Sequence, residues 1–416
     1  MKRDQDQRVT ILGAGIVGLC TALSLEKAGI AVQLIDSAAP GQGTSFGNAG
    51  VISPWSVVPQ SVPGIWRHLP GWLLKVDGPV TVRPAYFPKL LPWAMRFLDA
   101  GKIARVRDIS NAMMAMNQSN VALYKDILRG TGEESLIRDS YYVHAFREPE
   151  KANINGLEYS IRRDKGAQLQ QIDDAELHAL EPALSKQFKT AILIKNQART
   201  LSPGRISQVI ADQLKGFQTP IIQNRVVSIY PHHSNVWNIQ TDTGLLQSSK
   251  VVIAMGAWSA ELLKPLGINI PLEAERGYHA EFGNTKLSLT HSVMDMDLKM
   301  VASSMENGIR IAGTAEFAGL DYPANNKRIT RLVAMAKNML PGLGDNQPST
   351  WMGSRPSLPD SLPCIGEIAG HSGLYAAFGH SHYGLMMAPR TGQIITDLIS
   401  GNTIDIDLKP FRTDRF

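Results

Sequence analysis

Cysteine is nearly absent: Cys20 and Cys364 are the only two in 416 residues. With no C-x-x-C and no Cys/His spacing, a disulfide framework is excluded and no metal is expected. Long apolar runs are missing too. Nothing approaches the roughly 18 residues that a membrane-spanning helix needs. The opening residues, MKRDQDQR, are charged and carry no apolar core of the signal-peptide kind. Lysine and arginine are scattered, so the net charge of +5 comes without a basic arm for nucleic acid. Repeats and low-complexity tracts are absent. What remains is an ordinary globular composition, 44% hydrophobic and 19% charged. It reads as a protein of a reducing cytoplasm, long enough for two interleaved domains.

What is present begins with VTILGAGIVGLCTALSLEKAGIAVQLID. Val9 to Leu12 reads as a strand, the Ala/Leu-rich stretch as a helix, and Ala31 to Ile35 as a second strand ending on Asp36. Between the first two lie Gly13, Gly15 and Gly18, a G-x-G-x-x-G. Gly13 permits the tight turn, Gly15 lets a pyrophosphate approach the backbone, and Gly18 lets helix and strand pack closely. The helix start, at Ile16 and Val17, offers unpaired N–H groups and a partial positive charge. Asp36, with Ser37 beside it, can accept hydrogen bonds from a ribose diol. The glycines alone fit any tight turn. With strand, helix, second strand and acid in register they indicate a dinucleotide, and at this point NAD and FAD are both open.

A loop of small residues follows, PGQGTSFGNAGVISPW. Residues 55–100 then hold four tryptophans and many prolines, which rules out one regular element. The segment reads as the wall of an active site, with contact to a membrane surface as the alternative. Helices are expected over 104–130 and 149–182, with strand-like SYYVHAF between them, and again over Arg205–Leu214. PIIQNRVVSIYP, NVWNIQTDTG and KVVIAMGAW are expected to form a three-stranded meander ending at Gly256. Strands recur in RGYHAEF, HSVMDMDLKMVASSM and NGIRIAGTAEF. A helix is expected over Asn326–Met339, and the chain closes on glycine-rich loops and a last helix.

In order, the fingerprint, TSFGNAG, VVIAMGAWS, RIAGTAEFAG, RPSLPDSLPCIG and GHSHYGLMMAP resemble the FAD-dependent D-amino-acid oxidase and dehydrogenase superfamily. The resemblance is strongest to its bacterial D-amino-acid dehydrogenases and spans nearly the whole chain. It implies FAD as the cofactor and an α/β (α+β) fold. A Rossmann-like FAD-binding domain in three pieces (1–60, 198–262 and 347–416) would be interleaved with a substrate domain (61–197 and 263–346) built on a mostly antiparallel sheet.

Carried onto this chain, the resemblance gives Gly13, Gly15 and Gly18 to the pyrophosphate and Asp36 to the adenosine ribose. Thr44, Ser45, Asn48 and Ala49 would line the stretch from pyrophosphate to flavin. The Val226 backbone would meet adenine, and Gly256 would pass close to the nucleotide. Gly384, Leu385 and Met386 would present N–H groups to the flavin pyrimidine at the start of the last helix. Arg355, in RPSLPD, would grip the substrate carboxylate with its planar fork. The His382 backbone carbonyl would accept a hydrogen bond from the substrate amine. Tyr278, His279, Lys299 and Met300 would line the pocket, with Lys299 or Arg276 as reserve partners for the carboxylate. The sarcosine-oxidase branch attaches its flavin through a cysteine whose place is taken here by Gly353, which implies FAD bound without a covalent bond.

The reaction so implied is hydride transfer from Cα of a D-amino acid to flavin N5, followed by hydrolysis of the imino acid. ERGYH and the aromatic 55–100 segment suggest a compact, cyclic substrate such as D-proline or a hydroxy-D-proline. The electron acceptor would be a quinone, reached by peripheral contact with the inner face of the cytoplasmic membrane, or oxygen. An oligomer is compatible with all of this. The competing readings are a 2-hydroxy-acid or glycerol-phosphate dehydrogenase, a tRNA-modification module, and an FAD-binding subunit without activity of its own.

Overall fold

The structure is a computed structural model that describes residues 8–74, 78–233 and 235–416. Two sheets organise it. The first has six strands, in the order Cys364–Glu367, Leu374–Phe378, Val251–Ile253, Val9–Leu12, Val32–Asp36 and Ile221–Gln223. All neighbours are parallel except the Cys364–Glu367 and Leu374–Phe378 pair. Its central strands Val9–Leu12 and Val251–Ile253 are fully buried and, apart from Thr10, apolar, because both faces are covered. The helix Ile16–Lys27 packs against the last helix, Gly384–Ser400, beside this sheet.

The second sheet has ten strands. Its main path runs Ser349–Ser357, Glu273–Gly283, Gly308–Phe317, Met300–Met305, Ser292–Asp295, Ile137–Phe146, Thr190–Thr200 and Val51–Ile52. Val80–Val82 and Leu169–Ile172 pair onto it from the side. Every pairing is antiparallel except Ser292–Asp295 with Ile137–Phe146 and Val80–Val82 with Gly308–Phe317. The expected combination of a Rossmann-like sheet with a mostly antiparallel one is therefore what the chain forms. Ser349–Ser357 and Val51–Ile52 come from segments grouped with the dinucleotide half, yet both hydrogen-bond into the larger sheet.

Three local expectations are corrected. PIIQNRVVSIYP is not one strand: Ile221–Gln223 joins the six-stranded sheet, and Val226–Pro231 turns off into a three-stranded one. KVVIAMGAW does not close that small sheet. Gly244–Ser248 does, while Val251–Ile253 leaves to lie beside Val9–Leu12. An all-apolar strand belongs where both faces are buried, not on a meander with one face in water. Residues 149–182 are not helical throughout: Leu169–Ile172 is a strand paired with Thr190–Thr200, between the helices Leu157–Asp164 and Asp174–Leu180. The proline-rich segment is, as expected, not one regular element; it ends in the helix Phe87–Ala100, with Pro88 in its first turn, where no N–H is missed, and Pro92 inside.

Candidate active site

One cavity of about 1020 Å³ joins the two sheets. At one end it touches the carboxyl edge of the parallel strands, the place where open α/β sheets bind ligands. The chain leaves Leu12 into Gly13, ends a strand on Asp36, leaves Ile253 toward Gly256, and leaves Phe378 into Gly379, and all of these face the cavity.

The geometry at this end fits a dinucleotide. Gly13 has φ +108°, and a Cβ there would stand 2.4 Å from the Ala254 carbonyl oxygen. A Cβ on Gly18 would stand 2.0 Å from the Gly13 carbonyl oxygen, so the helix lies hard against the turn. On Gly15 it would meet only Ser45 Oγ, at 3.5 Å, and the remaining space belongs to the cavity. Asp36 Oδ2 accepts from the Ala14 N–H at 2.6 Å and Oδ1 from the Ala38 N–H at 3.0 Å, tying the second strand to the glycine turn. Ser45 Oγ accepts from the Ile16 N–H at 3.0 Å. Val17, Ser37, Thr44, Asn48, Ala49, Val226 and Gly256 all line the cavity too.

The Thr44–Ala49 loop is held from below. Thr44 Oγ1 donates to the Ser354 carbonyl, and Arg310 Nη1 donates to the carbonyls of Phe46 and Asn48 at 2.7 and 2.8 Å. Arg310 is in turn paired with Glu281. The Trp351 indole lies against this loop: a Cβ on Gly47 would come within 1.8 Å of it, and one on Gly353 within 2.0 Å. The Trp351 ring thus fills the space where a side chain on Gly353 would stand.

Farther along, Gly384, Leu385 and Met386 open the last helix with their N–H groups in its first turn, where intrahelical partners are lacking. The Tyr124 hydroxyl donates to the Leu385 carbonyl at 2.6 Å and fixes that end.

The opposite end is made of side chains. Arg355 and Glu275 stand directly across from each other on adjacent antiparallel strands. Arg355 Nη1 donates to Glu275 Oε1 at 2.8 Å and to the Thr314 carbonyl at 3.1 Å. The guanidinium lies over Gly277, where a Cβ would stand 2.2 Å from Nη2, and it faces the cavity. Among the described residues, Nη2 donates to no protein acceptor. Glu275 is buried and also accepts from Ser357 Oγ at 3.2 Å, and His382 Nε2 stands 3.0 Å from its Oε1. Burial alone would raise its carboxyl; the His382 and Arg355 charges beside it outweigh that and hold it at about 2. His382 Nδ1 in turn meets the Gln60 side-chain amide.

Other expected pocket residues divide. Lys299 lines the cavity. Tyr278 borders the cavity as well, but its hydroxyl is taken up by Glu316 Oε2, to which it donates at 2.5 Å. Arg276 is fully buried, 3.4 Å from Glu316 and donating to the Pro323 carbonyl, so it is no reserve for the carboxylate. Strand alternation is the reason: Glu275 and Gly277 share one face, Arg276 and Tyr278 the other. His279 turns to the Gly47 carbonyl and stacks on Trp351. Met300 is core.

Glu275, Gln60, Arg310 and Trp351 were not singled out from the sequence. The one signal was Glu275, an acid inside a strand whose neighbours are buried.

The DAO profile, FAD dependent oxidoreductase, matches residues 8–398. A D-amino-acid oxidase of Bradyrhizobium diazoefficiens is 34% identical over 99% of both chains. A D-amino acid dehydrogenase of the same organism is 28% identical over 98% of this chain and 99% of its own. In fold, glycine oxidase from Geobacillus kaustophilus superposes with a TM-score of 0.76 at 21% identity, covering 98% of each chain. A family profile over nearly the whole chain, a full-length relative and a cavity that fits a dinucleotide agree, and the chain belongs to the DAO family of FAD-dependent oxidoreductases.

Proposed function

We propose that this chain oxidises a small D-amino acid at its Cα–N bond with FAD held non-covalently. The observation that carries the reading is Arg355, a cavity-facing guanidinium with Nη1 anchored by Glu275 and Thr314 and Nη2 turned to the open space. A carboxylate losing water on entry requires such a donor. The D-amino-acid names of two full-length relatives supply the substrate class.

Bound FAD supplies the acceptor for the α-hydrogen and its electron pair. The protein positions the substrate. Arg355 holds the carboxylate, the His382 carbonyl orients the amine, and the start of the last helix faces the pyrimidine end of the cofactor. We assign cofactor binding to 1–60, 198–262 and 347–416 and substrate binding to 61–197 and 263–346, with Ser349–Ser357 as the edge they share. A compact cyclic substrate, D-proline or a hydroxy-D-proline, suits the aromatic wall that Trp72 and Trp93 contribute. Anaerobic mixing with a panel of D- and L-amino acids tests the proposal. Bleaching of the flavin band by D-enantiomers is expected, and bleaching only by 2-hydroxy acids or L-amino acids would overturn it.

The finer proposal for the acceptor is a membrane quinone. No helix among the described residues is long and apolar enough to cross a membrane. The helix Phe87–Ala100, however, exposes Phe87 (51%), Leu91 (47%), Met95 (61%) and Leu98 (39%) in one stripe, with Lys89 and Arg96 also exposed. Leu90, Trp93, Ala94 and Phe97 of the same helix wall the cavity, together with Phe87, Leu91 and Leu98 of the stripe, so a surface contact there would lie at the cavity that holds the cofactor. Turnover should be much faster with a soluble quinone than with oxygen. Equal rates would make the protein an oxidase and leave the helix as a wall.

A further inference from the structure

An amino acid arrives with its nitrogen protonated, and an ammonium has no lone pair to form the C=N bond. A proton must leave before the α-hydrogen can. The cavity holds several titratable groups, and most are unsuited to take it. Glu275 is saturated by Arg355, Ser357 and His382. Glu158 also lines the cavity, 4.0 Å from the Arg162 guanidinium. Tyr142 and Tyr383 are half-buried phenols whose ionisation is pushed up, first by desolvation. His144 is buried, with Nδ1 on the Tyr159 hydroxyl, and desolvation ahead of the nearby Arg162 and Lys299 charges disfavours its protonation.

His382 differs in its partner. Its Nε2 stands 3.0 Å from Glu275 Oε1, and an ionised carboxylate can only accept. A hydrogen on Nε2 suits that neighbour, and it leaves the lone pair of the neutral ring on Nδ1. The contact at Nδ1 agrees, because it is the Gln60 Nε2 amide, a donor. A base whose second nitrogen is oriented by a buried acid, beside the group that holds the substrate, is the arrangement of a positioned proton acceptor.

We infer that the His382 imidazole, oriented by Glu275, accepts the ammonium proton of the substrate at Nδ1. This rests on the amino-acid reading above. The substrate N–H bond breaks, the Nδ1–H bond forms, and the electron pair returns to the amine nitrogen, with no change of oxidation state in the step. The imidazolium formed is stabilised by Glu275, which is the positioning residue. The Gln60 amide gives way at Nδ1 to the incoming N–H donor. His382 thus acts through its ring as well as through its backbone carbonyl, which every substitution at this position retains.

The test uses the FAD-loaded protein, its His382→Asn and Glu275→Gln variants, and kcat/KM against pH with the best D-amino acid. At neutral pH His382→Asn should lose on the order of 100-fold or more, the usual worth of a placed base. The loss should shrink steadily as pH rises toward the range where the free amine is neutral, and added imidazole should restore part of the rate. Glu275→Gln should show the same pH trend with a smaller loss. A deficit that is constant across pH in His382→Asn would overturn the proposal, as would wild-type activity.

A second measurement needs no turnover. Pyrrole-2-carboxylate has the carboxylate but neither a basic amine nor an α-hydrogen. Its affinity, read from the shift of the flavin spectrum, should be unchanged within about twofold in His382→Asn, because only a proton step has been removed. A large loss of affinity would make His382 a structural support and sink the base assignment. In Arg355→Ala the same affinity should collapse. If it does not, the carboxylate reading has failed, which is a different failure from that of the base.

Discussion

The two ends of the cavity are built by opposite means. The dinucleotide end is made of backbone, glycine and short side chains, nearly all within Gly13–Ala49 and at the ends of parallel strands. The substrate end is made of long charged side chains, Glu275, Arg355 and His382, brought together from separate stretches of chain. A diphosphate is held by many weak, fixed N–H dipoles, so what matters there is the absence of bulk. A small zwitterion offers two charges, and each needs a strong directional partner inside a desolvated space. Substitutions should therefore fail differently at the two ends, through cofactor loss at one and through kinetics at the other.

The largest expected effect is Gly15→Val. The Gly15 surface faces open cavity, so a branched side chain would fill the space of the pyrophosphate. The purified protein should be colourless and inactive while still folded, as read by circular dichroism. A yellow, FAD-replete variant would break the assignment of that end. For the wild type, acid precipitation should release all the colour into the supernatant, as the Trp351 ring against Gly353 implies.

Arg355→Ala should keep its FAD and lose kcat/KM by roughly 30- to several-thousand-fold. Truncating one member of a buried charged pair costs about 2–5 kcal/mol, and here the Ala variant also leaves Glu275 without the guanidinium it pairs with. Arg355→Lys should fall between, because it keeps the charge and loses the fork. Near-normal flavin reduction in the alanine variant would leave Lys299, another cation on the cavity wall, to hold the carboxylate.

The acid limb of stability should report the substrate end. Glu275 ionises at about 2 in the folded chain against an ordinary 4.5, so the folded state binds fewer protons between those values. Its contribution is complete above pH 4.5 and is lost as pH falls through about 2, worth roughly 3 kcal/mol. Denaturant titrations of wild type and Glu275→Gln should diverge above pH 4.5 and draw together toward pH 2. His279 and His291, both pushed down to about 4 by burial first, add a loss that starts earlier, as pH falls from 6.5 to 4.

The smallest kinetic effect should come from Tyr278→Phe. Its hydroxyl serves Glu316 and the Asn325 N–H, away from Arg355. We expect kcat/KM within about threefold of wild type and a stability loss of about 1–3 kcal/mol from the partner left behind. A large kinetic loss at unchanged stability would return Tyr278 to the active site.

How much could be read beforehand follows the same division. The βαβ unit, its glycines and Asp36 were legible because strand, turn and helix are neighbours in sequence and steric demands fix their spacing. The strand containing Tyr278 was legible as a strand, but its facing was not. The pairing Glu275↔Arg355 sets which side meets the cavity, and that register joins residues 80 apart. The split of 220–231 into two strands was hidden as well, since Ile221–Gln223 is drawn off by pairing with Val32–Asp36.

By itself, then, the order of residues determined the cofactor class and the broad architecture. Glycine spacing and unbroken apolar strands express local sterics and burial, which each segment carries with it. The tertiary structure alone decided what surrounds the substrate. Arg355 was visible as an arginine, but the acid that anchors it and the histidine that shares this acid lie on other elements. Glu275 costs free energy to bury until the Arg355 guanidinium and the His382 ring stand beside it, and only the tertiary fold brings them within 3.0 Å.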